Sequence, residues 1–327
     1  MKSNILKFIC GIGLVCSLWS CKNGDQTFDD YEGGTAVYFP YQYPVRTIVL
    51  GDDEYDTSMD QAHQCQIMAT FGGSYNGSNG SVTVAVDESL CNNLYFDEGV
   101  TPVKPMPSSF YTLSTNTLNF NGTFNGATTV QLTDAFFADP DAVKNTYVIP
   151  LVMNSQTGFG KILTGTPLEG FSGSRTDASV WDVKPMDYVL YCIKFQNKYS
   201  GWWLTNGSTS TDNIEKANAV EVKTLSLDDC SYAVSFQDGD KIYKADLKLA
   251  FGAGSISSLT DGVTATGTCS WGDNTEKKAW GNKDRDGMEL EYTVTFADGK
   301  TFSKHEKMVW QRSGVKVEEF SPVYVVK

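Results

Sequence analysis

Histidine is almost missing from this chain: His63 and His305 are the two among 327 residues. That shortage leaves little room for a histidine-based catalytic triad or a multi-histidine metal centre. Past residue 21 the cysteines are Cys65, Cys91, Cys192, Cys230 and Cys269, an odd set at wide spacing with no C-x-x-C. This is neither a disulfide framework nor a zinc motif; one pair can bridge, and at least one thiol stays free. The sequence also lacks a G-x-S-x-G nucleophile elbow, an H-E-x-x-H helix and a glycine-rich phosphate loop. Basic residues are outnumbered, 26 Lys and Arg against 39 Asp and Glu, for a net charge of −13. Such a surface argues against nucleic acid or an anionic bilayer as a partner and suits uncharged ligands, cations or basic partners. No apolar run reaches the roughly 20 residues a membrane-spanning helix needs.

What the N-terminus does have is a processing signal. Lys2 and Lys7 precede an apolar stretch over residues 8–19, which ends in L-W-S-C at Cys21. A short charged start, an apolar core and a small-residue boundary describe a secretory signal rather than a membrane anchor. The cysteine at the boundary resembles a bacterial lipobox, with Cys21 lipidated as the first mature residue, although Trp19 is an unusual neighbour. An ordinary secretion signal with a chance cysteine is the alternative. The expectation is residues 1–20 as signal peptide, 21–34 as an acidic polar tether, and a body held outside the cytoplasm by a lipid anchor.

The remaining length suits two domains. From residue 36 to about 164 the patterns are those of short strands. S-V-T-V-A-V alternates from Ser81, T-L-N-F-N-G and T-T-V-Q-L flank Asn125-Gly126, and Y-V-I-P-L-V-M at 147–153 is apolar throughout, as a strand buried on both faces would be. D-A-F-F-A-D-P-D-A-V at 134–143 reads as one short helix. The expectation is an Ig-like β-sandwich over 35–164. Residues 165–184, rich in Gly, Ser and Thr, read as a linker. From 185 to 327 about nine strands follow one another, with Asp238-Gly239 and Asp298-Gly299 as hairpin signals. Consecutive hairpins without helices predict an antiparallel meander closed into a lipocalin-like barrel, a second β-sandwich being the alternative. The fold class is all-β.

Chemistry-bearing residues are sparse. His305 lies in a strand pattern and reads as a cross-strand surface residue; His63 and Cys65 are close in sequence but lack a third partner. N-K-D-R-D-G at 282–287 resembles the start of a calcium loop, but Thr293 stands where the completing glutamate belongs, so a polar turn is the better reading and no cofactor is expected, calcium being the alternative. Aromatics in polar surroundings are the stronger signal. Trp271 and Trp280 flank a charged stretch containing Asp273, Asn274, Lys283 and Arg285. Trp202 and Trp203, adjacent on a strand, must face opposite ways. An indole face packs on the C–H face of a sugar ring while Asp, Asn, Lys and Arg bond its hydroxyls. The candidate glycan site is therefore Trp271, Asp273, Asn274, Trp280 and Arg285 with the outward member of Trp202/Trp203; the competing role is plugging the end of a small β domain.

Two segments, Y-V-I-P-L-V-M-N-S-Q-T at 147–157 and Y-S-G-W-W-L-T-N-G at 199–207, resemble surface lipoproteins encoded in polysaccharide-utilisation loci of Bacteroides-type bacteria. The segment at 147–157 is similar to the closing strand of an N-terminal domain shared by glycan-binding lipoproteins and some endo-N-acetylglucosaminidases. The segment at 199–207 is similar to the start of the C-terminal domain of unknown function that often follows it. The resemblance implies a non-enzymatic, outer-membrane lipoprotein that captures oligo- or polysaccharide beside a TonB-dependent transporter and companion lipoproteins. It points to the cell surface, with the periplasmic face as the alternative. No family binding residues are defined well enough to carry over. Competing functions are a glycoside hydrolase with dispersed carboxylates and a structural subunit of a surface assembly.

Overall fold

A computed structural model describes residues 29–97, 100–171 and 173–325. The signal peptide expected over residues 1–20 and the lipidation expected at Cys21 fall outside the described residues. The protein is all-β, with two packed sheets followed by a closed eight-stranded antiparallel barrel.

The continuous apolar run at 147–153 forms the heart of the strand Tyr147–Thr157. Its side chains alternate between two cores. Ile149 and Leu151 enter the space between the sheets with Val37, Ile67, Phe71, Leu118 and Phe195. Val148 and Val152 face outward into a second cluster with Leu90, Leu94, Val103 and Leu190. That double burial is why the sequence shows no alternation here. One sheet runs Lys161–Ile162, Ala36–Tyr38, Gln64–Gly72, Asn125–Leu132, Tyr111–Leu113. The other runs Glu318–Glu319, Pro44–Val49, Tyr188–Gln196, Tyr147–Thr157, Ser81–Val86, Thr117–Asn119.

The structure moves several sequence-based boundaries. The turn expected at Asn125-Gly126 sits at Asn121-Gly122, both with positive φ (49° and 80°). Asn125 and Gly126 instead begin a strand of the opposite sheet, because the chain crosses between layers there rather than folding back as a hairpin. The short helix is a single turn, Asp134–Phe137. Tyr188–Gln196, expected to open the second domain, is a central strand of the sandwich, antiparallel to Tyr147–Thr157 and parallel to Pro44–Val49. Its alternate residues Val189, Ile193 and Phe195 complete the inter-sheet core, and a local hydrophobic pattern cannot say which core it fills. Residues 165–184 therefore join two sandwich strands, with Thr166–Pro167 pairing Trp181–Val183 in a small ribbon of their own. The chain leaves the sandwich at residues 197–200.

The barrel follows sequence order: Gly201–Thr205, Asn218–Thr224, Asp229–Asp238, Lys241–Ala250, Ser255–Ser258, Thr264–Trp280, Lys283–Thr295 and Thr301–Arg312, closed by the first strand pairing the last. Asp238-Gly239 and Asp298-Gly299 are hairpin turns as their dipeptides predict, with Gly239 and Gly299 at φ 60° and 83°. Side chains fill the interior, led by Trp203, Leu247, Leu249, Leu290 and Val294. Among them stands the buried Glu306. Its carboxylate accepts hydrogen bonds from Tyr292 Oη (2.8 Å), Thr205 Oγ1 (3.0 Å) and Tyr232 Oη (3.3 Å). A buried charge is tolerated only with such partners.

After the barrel, residues 313–325 return across the sandwich. Glu318–Glu319 pairs with Pro44–Val45, and Val323–Tyr324 pairs with Leu94–Tyr95. Between them Phe320 is buried, its ring 4.7 Å from Phe96 and 5.3 Å from Tyr43. Phe320→Ala should cost about 3–5 kcal/mol, in the range for emptying a buried phenylalanine site. A denaturant titration checks this: an unchanged midpoint would mean that the strap is not held by its aromatic anchor.

Candidate functional site

A cleft of about 640 Å³ lies where the sandwich meets the returning strap. Its walls are the strand Pro44–Val49, the acidic loop at residues 53–57 and the strap at 312–318. Asp60, buried on a one-turn helix, organises the floor. It accepts the Val49 N–H at 2.9 Å and pairs with Arg46, whose Nη1 also donates to the Thr47 carbonyl at 3.1 Å. Burial raises the Asp60 carboxyl above the ordinary carboxylate range, while the Val49 N–H and Arg46 pull it back. Tyr191 lies in the wall, its hydroxyl likewise raised by burial. Tyr55 stands at the mouth, 71% exposed.

Hydrogen bonds tie the strap to the acidic loop and to the crossing between domains. Ser313 Oγ donates to Asp53 at 2.7 Å, and Gln196 Nε2 donates to the carbonyls of Ser200 (2.9 Å) and Ser313 (3.1 Å). Gly51 brings the acidic loop against the crossing between domains: a Cβ there would lie 2.9 Å from the Lys198 Cα.

The residues singled out in the sequence are dispersed. Trp203 is fully buried in the barrel core with Nε1 donating to the Tyr199 carbonyl at 3.0 Å, so it cannot meet a ligand. Trp202 is the outward partner. Its half-exposed ring rests on Gly314, where a Cβ would come within 2.6 Å, and Arg312 lies 5.4 Å from the ring centre. Trp202 lines a second cleft of about 460 Å³ on the other side of the strap.

Trp271 is half-buried against the barrel core, edge-on to Tyr199 at 5.5 Å with Lys198 Nζ 4.5 Å over its ring. Its Nε1 is buried without a hydrogen-bond partner among the described residues. Trp280 packs against Leu204, Ile214 and Val309, and the Arg285 guanidinium covers its ring at 4.8 Å. Both indoles thus have a face occupied by a cation of the protein itself. Asp273 and Asn274 are exposed and bonded to each other at 2.7 Å. The hairpin carrying them departs from strict alternation through register shifts at Gly272/Glu276 and Glu276/Trp280, with positive φ at Asn274 and Lys278.

N-K-D-R-D-G forms no calcium loop. Asp284 pairs with Lys277 at 3.0 Å, whereas Asp286 turns inward and accepts the Asn274 N–H at 2.8 Å. Asp286, Asp273 and Asp52 bring carboxylate oxygens within 4.8 Å of one another, so the sandwich loop and the barrel hairpin meet through three acids. A hard cation such as calcium takes six to eight oxygens, and this set supplies only part of such a shell. The other candidates resolve as surface or core residues. His305 Nε2 bonds Glu289 at 2.6 Å across strands, and His63 packs on Phe137 at 4.2 Å. Cys65 is buried with its thiol pushed up to about 12, so it forms no reactive dyad. The five described cysteines are all free.

Arg46, Tyr55, Asp60, Tyr191 and Ser313 carry no mark in the sequence that sets them apart as site residues. The one available signal was Tyr55 within the acidic G-D-D-E-Y-D run; the strap that faces it lies more than 250 residues away in sequence.

A two-domain all-β protein, sandwich then barrel, is what these observations define. The family profile of a domain of unknown function, DUF5627, matches residues 198–314, and that of an N-terminal domain matches residues 29–160. A crystal structure from Bacteroides ovatus, a structural-genomics protein of unknown function, is similar at 32% identity and a TM-score of 0.81, over 91% of this chain and 100% of that one. This chain belongs to the same family as that protein, and it is of Bacteroides type. A multidomain B. ovatus protein that includes DUF1735 aligns over 84% of this chain and 92% of its own at 10% identity, with a TM-score of 0.37, too distant to carry an argument. No curated protein matches.

The acid cluster has a measurable consequence. Burial, with Asp52 and Asp273 adding to it, raises Asp286 from 3.8 to about 6. The folded protein therefore keeps a proton that the unfolded chain has released. This contribution to stability is full below about pH 4 and is lost as pH rises through about 6. Asp286→Asn should remove that loss, making the variant more stable than wild type at pH 7.5 by about 2–3 kcal/mol and equal to it at pH 4. Paired thermal melts across this range test it; a constant offset between the two proteins would contradict it.

Proposed function

We propose that this protein is a non-enzymatic, lipid-anchored surface protein that binds oligo- or polysaccharide at the junction of its two domains. The lipobox-like sequence at Cys21 supports the anchor, and the resemblance to polysaccharide-utilisation lipoproteins supports a place beside a TonB-dependent transporter. The observation that carries the ligand class is the state of charge in the junction cleft. Charges of both signs line it, Arg46, Arg312 and Lys316 against Asp53, Glu54, Asp56, Asp60 and Glu318. Arg46 is already committed to Asp60 and to the Thr47 carbonyl. Asp53 is engaged by Ser313 and Glu318 by Lys194. A charged ligand would have to compete with these pairs. A hydroxyl-rich neutral ligand can add hydrogen bonds to their remaining lone pairs while its apolar ring faces pack on Tyr55 and Tyr191. A cleft of this size, apolar walls with a few fixed polar groups, is where a small ligand is held. The binding site thus shifts from the Trp271/Trp280 hairpin, whose rings are covered by Lys198 and Arg285, to the cleft behind the strap.

Titration of the mature protein with a panel of neutral glycans tests the reading. Tyr55→Ala, at an exposed position that leaves the fold intact, should weaken the best ligand about tenfold, equivalent to about 1.4 kcal/mol. Binding by no glycan in the panel would sink the proposal, and released oligosaccharide would refute the absence of catalysis. The anchor has its own test: Cys21→Ala should shift the protein from the membrane fraction to the soluble one, and unchanged partitioning refutes lipidation.

A further inference from the structure

The junction cleft has a neighbour with which it shares a wall. The cleft holding Tyr55 and the one holding Trp202 are both lined by Thr47 and by Ser313, Gly314, Val315 and Glu318 of the strap. Near the clefts the strap is held to the sandwich by the short pairing of Glu318–Glu319 with Pro44–Val45. Val317 stands fully exposed on its crest. Each cleft has an aromatic side chain that solvent reaches: Tyr55, with Tyr191 deeper in the wall, in the first, and in the other Trp202, partly exposed although it packs on Gly314 and has Arg312 5.4 Å from its ring centre.

The chemistry on the two sides matches. The charges of the Trp202 cleft are also largely paired within the protein, Lys194 with Glu318 at 3.0 Å and Lys223 with Glu221 at 3.3 Å. Both surfaces therefore carry charges of both signs, several of them already engaged, and offer hydrogen-bonding groups without selecting strongly for a ligand of one sign. A site that recognises a chain end needs a blind wall against which the terminal ring stops. Two open clefts that share the strap as a common wall have the opposite shape.

We infer that a single extended, uncharged glycan chain lies across the strap, stacking on Tyr55 in one cleft and on Trp202 in the other, so that the protein holds internal stretches of polymer and not chain ends. This rests on the glycan-binding reading above and adds to it the length and polarity of the ligand. Once one cleft is filled, the other binds intramolecularly, and affinity for a chain long enough to reach both exceeds that of either cleft alone.

The test uses the full mature chain carrying Cys21→Ala and neutral gluco-, manno- and xylo-oligosaccharides of two to ten units with their parent polymers. For whichever series binds, affinity should rise steeply once the chain is long enough to span the strap. Trp202→Ala should then reduce affinity for the polymer at least tenfold while leaving the shortest bound oligosaccharide within twofold; Tyr55→Ala should weaken both. Because Trp202 packs on Gly314 and its loss can disturb the strap, a further variant reads the same property. Val317→Cys places a thiol on the exposed crest, and the five described native cysteines are all buried, so a bulky maleimide will label the crest alone. Labelling should reduce polymer affinity to the short-oligosaccharide level and leave short oligosaccharides unaffected.

Affinity independent of chain length, or polymer binding indifferent to both Trp202→Ala and the crest label, overturns the two-cleft inference while leaving single-cleft glycan binding intact. Tighter binding of a uronic-acid polymer than of its neutral counterpart overturns the assignment of an uncharged chain. Failure of every neutral and acidic glycan to bind overturns the glycan reading itself, and the inference with it.

Discussion

The return of the C-terminal strap to the sandwich is the constraint on which the rest of the architecture depends. Without it the barrel would hang from residues 197–200 and the domain junction would have one wall. With it, Glu318–Glu319 extends a sandwich sheet, Phe320 fills the gap between Tyr43 and Phe96, and Val323–Tyr324 pairs with Leu94–Tyr95. Both ends of the barrel segment are thereby tied to the same sheet. The sandwich is correspondingly incomplete without residues from beyond the barrel, so the two domains do not correspond to two independent lengths of chain. The clefts exist because the strap spans the junction as an exposed bridge instead of lying flat along the sheet.

Polar groups are buried where they hold segments of distant origin in register. Asp60 ties a one-turn helix to the strand Pro44–Val49 through Val49 and Arg46. Asn197 is buried at the crossing between domains; its side chain bonds the carbonyls of Ser226 (2.7 Å) and Asp229 (3.2 Å) and accepts the Tyr199 N–H at 3.1 Å. Glu306 gathers Tyr292, Tyr232 and Thr205 inside the barrel. An unpaired polar atom at any of these places would be costly in an apolar setting, so each network favours one arrangement over slipped alternatives. The Asp52, Asp273 and Asp286 contact works in the opposite sense. It crowds like charges at the junction, and burial there disfavours the ionised form of Asp286.

Much of the fold was legible in the sequence. The apolar run at 147–153 announced a strand buried on both faces, the Asp-Gly dipeptides placed two barrel hairpins, and the absence of helical periodicity led to an all-β chain with a closed meander. The errors fell where two choices look alike locally. Tyr188–Gln196 has the pattern of any buried strand, and nothing within its nine residues distinguishes the core of the sandwich from that of the barrel. Asn121-Gly122 and Asn125-Gly126 carry the same turn signal, and the crossover between sheets decided which one turns. The candidate site residues were only partly brought together by the fold. Aromatic residues among polar ones were correctly identified as unusual, but Trp271 and Trp280 have their ring faces covered by Lys198 and Arg285, and Trp203 is core.

The sequence by itself determined the strand-rich character, the hairpin turns and the alternation that makes one of two adjacent tryptophans face outward, because each of these is set by interactions within a few residues. Tertiary structure alone decided the domain boundary, the strap and the clefts. Tyr55, Trp202 and Ser313 become neighbours of one junction only when a strand from the middle of the chain enters the sandwich and the last residues return to its edge. Such a pairing is stabilised by the burial of Phe320 and by hydrogen bonds between segments far apart in sequence, and a reading confined to local pattern contains no term for it.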